Sequence, residues 1–304
     1  MRVFITGANG FIGSGVVREL LDSGHEVVGL ARSDAAAAAV QQAGAEVLRG
    51  SIDELETLTR GAEGADGVIH TAYIHDFAQP PEVAAQADRR AIETLATALE
   101  GSGRPLVVTS ATGLLGPGSV ATEEDRPRVT ERSHPRAASD LLALELASRG
   151  NNVSIVRPAS SVHGEGDHAF IPTLIETARS KGVSGYVGDG SNRWPAVHRL
   201  DAAHLYRLAL EHGQVGSVFH AVADEGIPTR DIAETIGRHL DLPVVSIALD
   251  DADEHFGWIG MFCAADIPAS SALTRERLGW EPVHPGLIAD LDAGHYFAHT
   301  PVAQ

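Results

Sequence analysis

A chain of 304 residues with 43% hydrophobic and 21% charged side chains has enough apolar surface for one large or two modest globular domains. Its 41 acidic against 23 basic residues give a formal charge of −18, which repels nucleic acid and anionic membrane, and no Lys/Arg cluster offsets it. No apolar run approaches the ~18 residues of a membrane span, and the first residues read as a strand rather than a signal peptide, so the expected location is the cytoplasm.

The chain opens on RVFITGANGFIGSG, Arg2 to Gly15. A β-rich run (Val3, Phe4, Ile5, Thr6) enters Gly7, Gly10 and Gly13, and apolar periodicity through Val16, Val17, Leu20 and Leu21 predicts a helix. Small residues at those positions let a backbone bend sharply, approach a diphosphate and pack helix on strand, while the helix N-terminus offers free N–H groups to phosphate. Gly7, Gly10, Phe11, Ile12 and Gly13 are therefore candidate cofactor residues.

Residues 26–31 predict a second strand, whose end selects the cofactor: a carboxylate holds a ribose diol, and arginine accommodates a 2′-phosphate. The order here is Ala31, Arg32, Ser33 and only then Asp34. Arg32 has the charge and reach for a phosphate and Ser33 can donate to it, so NADP(H) is expected. Asp34, about 20 residues beyond the glycines, keeps NAD(H) possible, although it also reads as the N-cap of a helix over 35–43.

A third strand (46–49) leads to Ser51, Ile52 and Asp53, and a fourth (67–71) ends at Thr71, Ala72 and Tyr73. Ligands of open α/β sheets bind at such carboxyl ends. Tyr73, His75 and Asp76 can face a substrate or belong to a capped surface loop. After a helix to about residue 100 and a fifth strand (106–110), a Gly- and Pro-rich loop over 113–127 carries Glu123, Glu124 and Asp125. It reads as a mobile flap or a solvated turn. A helix over 135–149 and a sixth strand (153–157) complete an alternation that predicts a doubly wound sheet. Beyond Pro158 come a helix (171–181), a short strand (184–187), a helix (201–212), a strand (217–222), a helix (229–240) and helical pieces to 297. The single cysteine, Cys263, excludes an internal disulfide and reads as packed among Trp258, Ile259, Met261 and Phe262. His163, His168 and His198 match no tight ligand spacing, so no metal is expected.

The spacing TGxxGxxG, with GVIHTA (67–72), VVTSATGLLG (107–116), VRPASSVHGEGD (156–167) and WPAVHRLDAAHLYRLALE (194–211), resembles the extended and atypical short-chain dehydrogenase/reductases. That group includes nucleotide-sugar epimerases and dihydroflavonol-type reductases. The resemblance runs along almost the whole chain and implies an α/β, Rossmann-like, doubly wound parallel sheet with a smaller C-terminal substrate lobe. The dinucleotide-binding domain would comprise 1–158 plus 193–224, and the lobe 159–192 plus 225–304. It further implies Ser51 and Ile52 beside the adenine, Ala72 and Tyr73 against the ribose and diphosphate, and Pro158 and Ala159 on the nicotinamide side. His198 resembles the family's structural histidine paired with Asp201. A homodimer through helices at roughly 82–100 and 135–149 is implied as well, with Ala84, Ala91, Leu95, Leu141 and Leu144 on their exposed faces.

The sequence departs from the family at its chemistry. Short-chain reductases use Tyr and Lys four residues apart, but the corresponding stretch reads SHPRAASDLLALE, and alignment on Pro135 puts Arg136 at the tyrosine and Asp140 at the lysine. Arginine stays protonated and cannot donate a proton at neutral pH. It can stabilise an oxyanion or hold a carboxylate, or form an ordinary i,i+4 surface ion pair with Asp140. The family's Ser/Thr falls among Ser110, Ala111 and Thr112, and His163 stands where relatives often have tyrosine and is suited to proton transfer. The candidate catalytic residues are Ser110, Thr112, Arg136, His163 and Tyr73. The implied function is an NADP(H)-dependent oxidoreductase that reduces a small carbonyl or imine; an iminium arrives charged and needs no proton on an alkoxide. A non-catalytic NADP-binding regulator or redox sensor, and a nucleotide-sugar epimerase or dehydratase, remain as alternatives.

Overall fold

The computed structural model describes residues 1–75, 79–127, 130 and 133–298. The first half alternates strand and helix: β1 (Arg2–Thr6), α1 (Phe11–Asp22), β2 (Glu26–Ala31), α2 (Asp34–Gln42), β3 (Glu46–Arg49), α3 (Leu55–Glu63), β4 (Gly67–His70), α4 (Pro81–Ala98), β5 (Leu106–Thr109), α5 (Ala137–Ser148) and β6 (Val153–Pro158). There follow β7 (Ser161–His163), α6 (Phe170–Lys181), β8 (Ser184–Val187), β9 (Arg193–His198), α7 (Arg199–His212), β10 (Val218–Ala221), β11 (Asp224–Pro228), α8 (Thr229–Leu240) and β12 (Val244–Ile247). Four short helices end the chain: α9 (Ala252–Phe256), α10 (Gly260–Ala264), α11 (Ala272–Leu278) and α12 (Leu287–Asp292).

The expected parallel sheet is present, with seven strands in the order β10-β6-β5-β4-β1-β2-β3. β1, β4, β5 and β6 are near-continuous apolar runs because helices cover both faces. α1 and α7 pack on one face, over a core that includes Val16, Leu20, Leu205 and Tyr206; α3, α4 and α5 pack on the other, over Leu58, Ile92, Leu95 and Leu146. The strand order reverses between β1 and β4, so their carboxyl ends open the crevice where such sheets take ligands. No described helix is long and apolar enough to cross a membrane.

A third core, around Ile175, Trp194, Ile236, Phe256 and Leu287, belongs to the C-terminal part. It contains two small sheets, β11-β9-β7 and β12-β8. Residues 193–224 do not all return to the large sheet: β9 pairs with β7 and β11, and only α7 and β10 rejoin the large layer. The 113–127 loop is no free flap. Glu123 is 4% exposed and accepts from both the backbone N–H and the hydroxyl of Thr274, Ala121 bridges to Ala269, and the Gly118 N–H reaches the Asp266 carbonyl. The expected exposed faces also need correction, because Ala84 is buried and Ala91 and Leu95 belong to the core on that side of the sheet; Leu141 and Leu144 are half-buried.

Candidate active site

The glycine turn is built as its spacing requires. Gly7 has φ +72°, and a Cβ there would stand 2.7 Å from the Ala72 backbone nitrogen; a Cβ on Gly13 would collide with the Gly7 carbonyl. Gly10 caps α1 without any side-chain hydrogen bond, which leaves the first-turn N–H groups at Phe11, Ile12 and Gly13 open to a ligand. Thr6, Thr71 and Ala72 tie β1 to β4 just beneath, through Thr71 Oγ1 to the Thr6 carbonyl (2.8 Å) and the Ala72 N–H to Thr6 Oγ1 (3.3 Å).

At the end of β2 the caps differ from expectation. Ser33, not Asp34, is the N-cap of α2: its hydroxyl oxygen accepts from the Ala36 N–H (3.1 Å). Asp34 is the first helical residue and pairs with Arg49 at 2.7 Å, while Arg49 also donates to the Ser33 carbonyl. Arg32 is exposed beside them. Ser51 makes a local turn, accepting from the Asp53 N–H, and Ile52 is 8% exposed against the core of the α3–α5 face.

At the ends of β4 and β5 three separated residues meet. The Arg136 guanidinium lies 4.1 Å from the centre of the Tyr73 ring and donates to the Thr109 carbonyl (3.2 Å). Ser110 follows Thr109 and is 4% exposed. Tyr73 Oη, Ser110 Oγ and Arg136 Nε are all buried, with no hydrogen-bond partner among the described residues. Burial raises the Tyr73 phenol above its usual pKa, and the Arg136 charge opposes that rise. His75 stacks edge-on against Tyr73; burial, then the charges of Arg136 and His168, lower its pKa. Asp76 lies outside the described residues.

Several other expected residues are engaged elsewhere in the protein. Thr112 is 2% exposed and its hydroxyl donates to the Pro158 carbonyl (3.3 Å), which ties the segment after β5 to the end of β6. Arg136 and Asp140 form no pair, because Asp140 holds Arg157 through two bonds of 2.8 and 2.9 Å with both side chains fully buried. His163 is fully buried, with Nδ1 2.8 Å from the Asp290 carboxylate and Nε2 without a hydrogen-bond partner among the described residues. Ala159 is 4% exposed, Pro158 is buried, and the Ala159 N–H is spent on the Ala221 carbonyl; they form floor rather than contact surface. Asp201 bonds His284 (2.8 Å), not His198; His284 stacks on His198 at 4.6 Å. Burial, then the neighbouring His163 and His284, push His198 down to about 4. Cys263 is buried as expected, its thiol pushed up to about 12. Among the described residues no group of three or more His, Cys, Asp or Glu could hold a metal.

Sequence reasoning missed Arg49, Asp290, His284 and Tyr296. Tyr296 accepts from the Gly164 N–H and donates to Asp167, pinning the loop after β7. It also missed His70 and Asp88, which form a buried pair (3.1 Å) beneath Tyr73. Burial raises the Asp88 pKa, but the His70 hydrogen bond and the charges of His70 and Arg136 bring it below its usual value. Only Asp88 left a signal: a carboxylate among the apolar positions of α4.

Among curated proteins, the chain is 49% identical over 298 residues to an uncharacterised protein of Schizosaccharomyces pombe, covering 98% of this chain and all of that one. It is 27% identical over 88% of its length, and 84% of the other's, to a 4-hydroxy-2-methyl-3-oxo-4-farnesyl-3,4-dihydroquinoline-1-oxide ketoreductase of Stigmatella aurantiaca. Among solved structures it superposes on a dTDP-glucose 4,6-dehydratase of Streptomyces venezuelae with TM-score 0.76 and 22% identity over 96% of both chains. Residues 3–222 match the model of the NAD dependent epimerase/dehydratase family, and the chain belongs to that family.

Proposed function

We propose that this protein is an NADPH-dependent reductase of small carbonyl compounds in which Tyr73 donates the proton and Arg136 stabilises the forming oxyanion. The observation that carries this reading is the set of buried, unpartnered polar atoms at the ends of β4 and β5: Tyr73 Oη, Ser110 Oγ and Arg136 Nε. An unmet buried polar group costs about 1–3 kcal/mol, so three together are best explained as donors held for a ligand oxygen. Tyrosine and a cation are the same chemical pair that short-chain reductases use, here supplied from a strand end and a helix N-cap instead of one helix turn. Arg136 has no carboxylate within ion-pair distance among the described residues. Its charge disfavours an iminium and suits an oxyanion, which favours the carbonyl over the imine.

The glycine turn fits a dinucleotide, since Cβ atoms at Gly7 and Gly13 would collide with the Ala72 backbone and the Gly7 carbonyl and prevent the tight strand-to-helix packing such a site needs. A reduced nicotinamide bound there supplies the hydride. Gly7, Gly10, Phe11, Ile12 and Gly13 would hold the diphosphate, and Ala72 the ribose. Ser51 and Ile52 would meet the adenine through backbone groups. Arg32, Arg49, the Ser33 hydroxyl proton and the α2 N-terminus would hold a 2′-phosphate, and Asp34, which pairs with Arg49 at the surface, is flanked by these cations. A homodimer through α4 and α5 would use the half-buried Leu141 and Leu144 of α5.

The test is titration with NADPH and NADH, then a panel of aldehydes, ketones, oxo acids and cyclic imines followed by loss of reduced nicotinamide. Turnover of carbonyls with NADPH is the expected result. Binding without turnover of any carbonyl or imine would favour the regulator, and turnover of imines alone would remove the oxyanion role of Arg136.

A further inference from the structure

Arg199, the first residue of α7, sends its guanidinium across to the start of α1. It lies 4.8 Å from the centre of the Phe11 ring, donates to Ser14 Oγ (3.0 Å) and donates to the Glu165 carbonyl (2.9 Å). His168, from the same loop as Glu165, packs edge-on against the Phe11 ring at 5.8 Å. The loop between β7 and α6 is thus fastened over the glycine turn on two sides.

The charge at this place has no direct ion pair, and the Glu165 carboxylate offsets it only from beyond ion-pair distance. No carboxylate lies within ion-pair distance of Arg199 among the described residues, and its Nε is buried without a partner. Burial pushes its pKa below the usual arginine value. The setting is unfavourable for a cation twice over, because the guanidinium sits at the N-terminal turn of α1 and its backbone opens α7, and helix N-termini carry partial positive charge. A half-buried cation beside open N–H groups is stabilised when an anion joins them, and the anion the glycine turn is shaped for is a diphosphate.

We infer that Arg199 is a diphosphate-binding residue that latches the 164–168 loop over the bound cofactor. The inference rests on the dinucleotide reading above. Its Nε and the spare N–H groups of the fork would add charge-assisted hydrogen bonds to those from Phe11 and Ile12, while the bond to Glu165 carries the loop with it. Cofactor binding and closure of the substrate side are then one event, since Tyr296 holds the same loop from the lobe through Gly164 and Asp167.

Dissociation constants for NADPH and for adenosine 2′-monophosphate, which lacks the diphosphate, test it in the wild type, Arg199→Met and Arg199→Lys. The expected result is NADPH weakened by ~10–100-fold in Arg199→Met, partial recovery in Arg199→Lys, and adenosine 2′-monophosphate unchanged in both. Undiminished NADPH affinity in either folded variant overturns the inference. An equal loss for both ligands also overturns it, because Arg199 would then be a brace for the loop. If Arg199→Met does not fold, inorganic pyrophosphate competing with NADPH less well in Arg199→Lys than in the wild type supports the inference, and equal competition overturns it. Wild-type protein that binds no NADPH or NADH would remove the cofactor reading itself.

Discussion

The glycine turn after β1 and the Tyr73–Arg136 stack at the ends of β4 and β5 share one edge of one sheet, yet the first is made of backbone and the second of side chains. The turn works by what is missing: no Cβ at Gly7 or Gly13, and no cap on α1. The proposed site would work by what three distant segments bring together, a phenol from the loop after β4, a hydroxyl just beyond β5 and a guanidinium from the N-cap of α5. A backbone device tolerates little change, whereas a side-chain device can be rebuilt from other residues. That difference accounts for a chain with an intact dinucleotide turn and no tyrosine or lysine on α5.

The largest effect should fall on the backbone device. Gly13→Val puts a branched side chain into the Gly7 carbonyl and should abolish NADPH binding in a protein that still folds by circular dichroism. Retained affinity would break the comparison. Next, Tyr73→Phe should leave NADPH affinity unchanged and cut carbonyl turnover by ~10²–10⁴-fold, the usual contribution of a general acid. His163→Gln should instead leave turnover near the parent value, because its partner is Asp290 and it has no exposed surface. If His163→Gln carries the loss and Tyr73→Phe does not, the acid belongs to the lobe and the side-chain device lies elsewhere.

The fold was legible because its signals are local. Alternating apolar strands and periodic helices predicted β1 to β6, and the bounds of β2, β3 and α8 coincide with those expected. The short strands β7, β9, β11 and β12 were missed: outside the regular strand-helix alternation of the first half, a short run with Pro, Gly or polar residues in or beside it has no context that marks it as a strand. At the site, the glycines were legible for the same local reason. Arg136 and Tyr73 were visible as candidates, but their stacking was not, because it depends on how β4 and α5 pack. The partners of His163 and Thr112 were not legible, because residue type suggests chemistry but says nothing of the Asp290 carboxylate or the Pro158 carbonyl that the fold brings to them. Ser33 was read as a phosphate donor when its oxygen also caps α2.

Asp140 sharpens the comparison from inside the protein. It occupies the position expected for the family's lysine, but it is buried under the site, bonded twice to Arg157, which also donates to the Asp125 carbonyl. Asp140→Asn leaves Arg157 without its counter-charge and should cost about 3–5 kcal/mol of stability, measured by denaturant unfolding. The cost arises from the abandoned cation, so an Asp140→Leu/Arg157→Met double variant should recover much of it. Loss of turnover at unchanged stability would instead make Asp140 part of the chemistry.

The smallest effect is expected at the ribose end, where backbone and side chains share the work. Arg32 is exposed, and a 2′-phosphate beside it would also meet Arg49, the Ser33 hydroxyl and the first N–H groups of α2. Arg32→Ala therefore removes one of several donors and should weaken NADPH by about 1.5 kcal/mol, the low end for hydrogen bonds to a charged group, with little change for NADH. Arg49→Ala should act differently. It removes a cation and also frees Asp34, whose carboxylate can then turn to a ribose diol or repel a phosphate. NADPH should weaken more than in Arg32→Ala while NADH holds or tightens, so the ratio of the two dissociation constants, read by fluorescence titration, separates the roles. Equal losses for both cofactors in both variants would place the phosphate elsewhere and leave NAD(H) as the natural partner of Asp34.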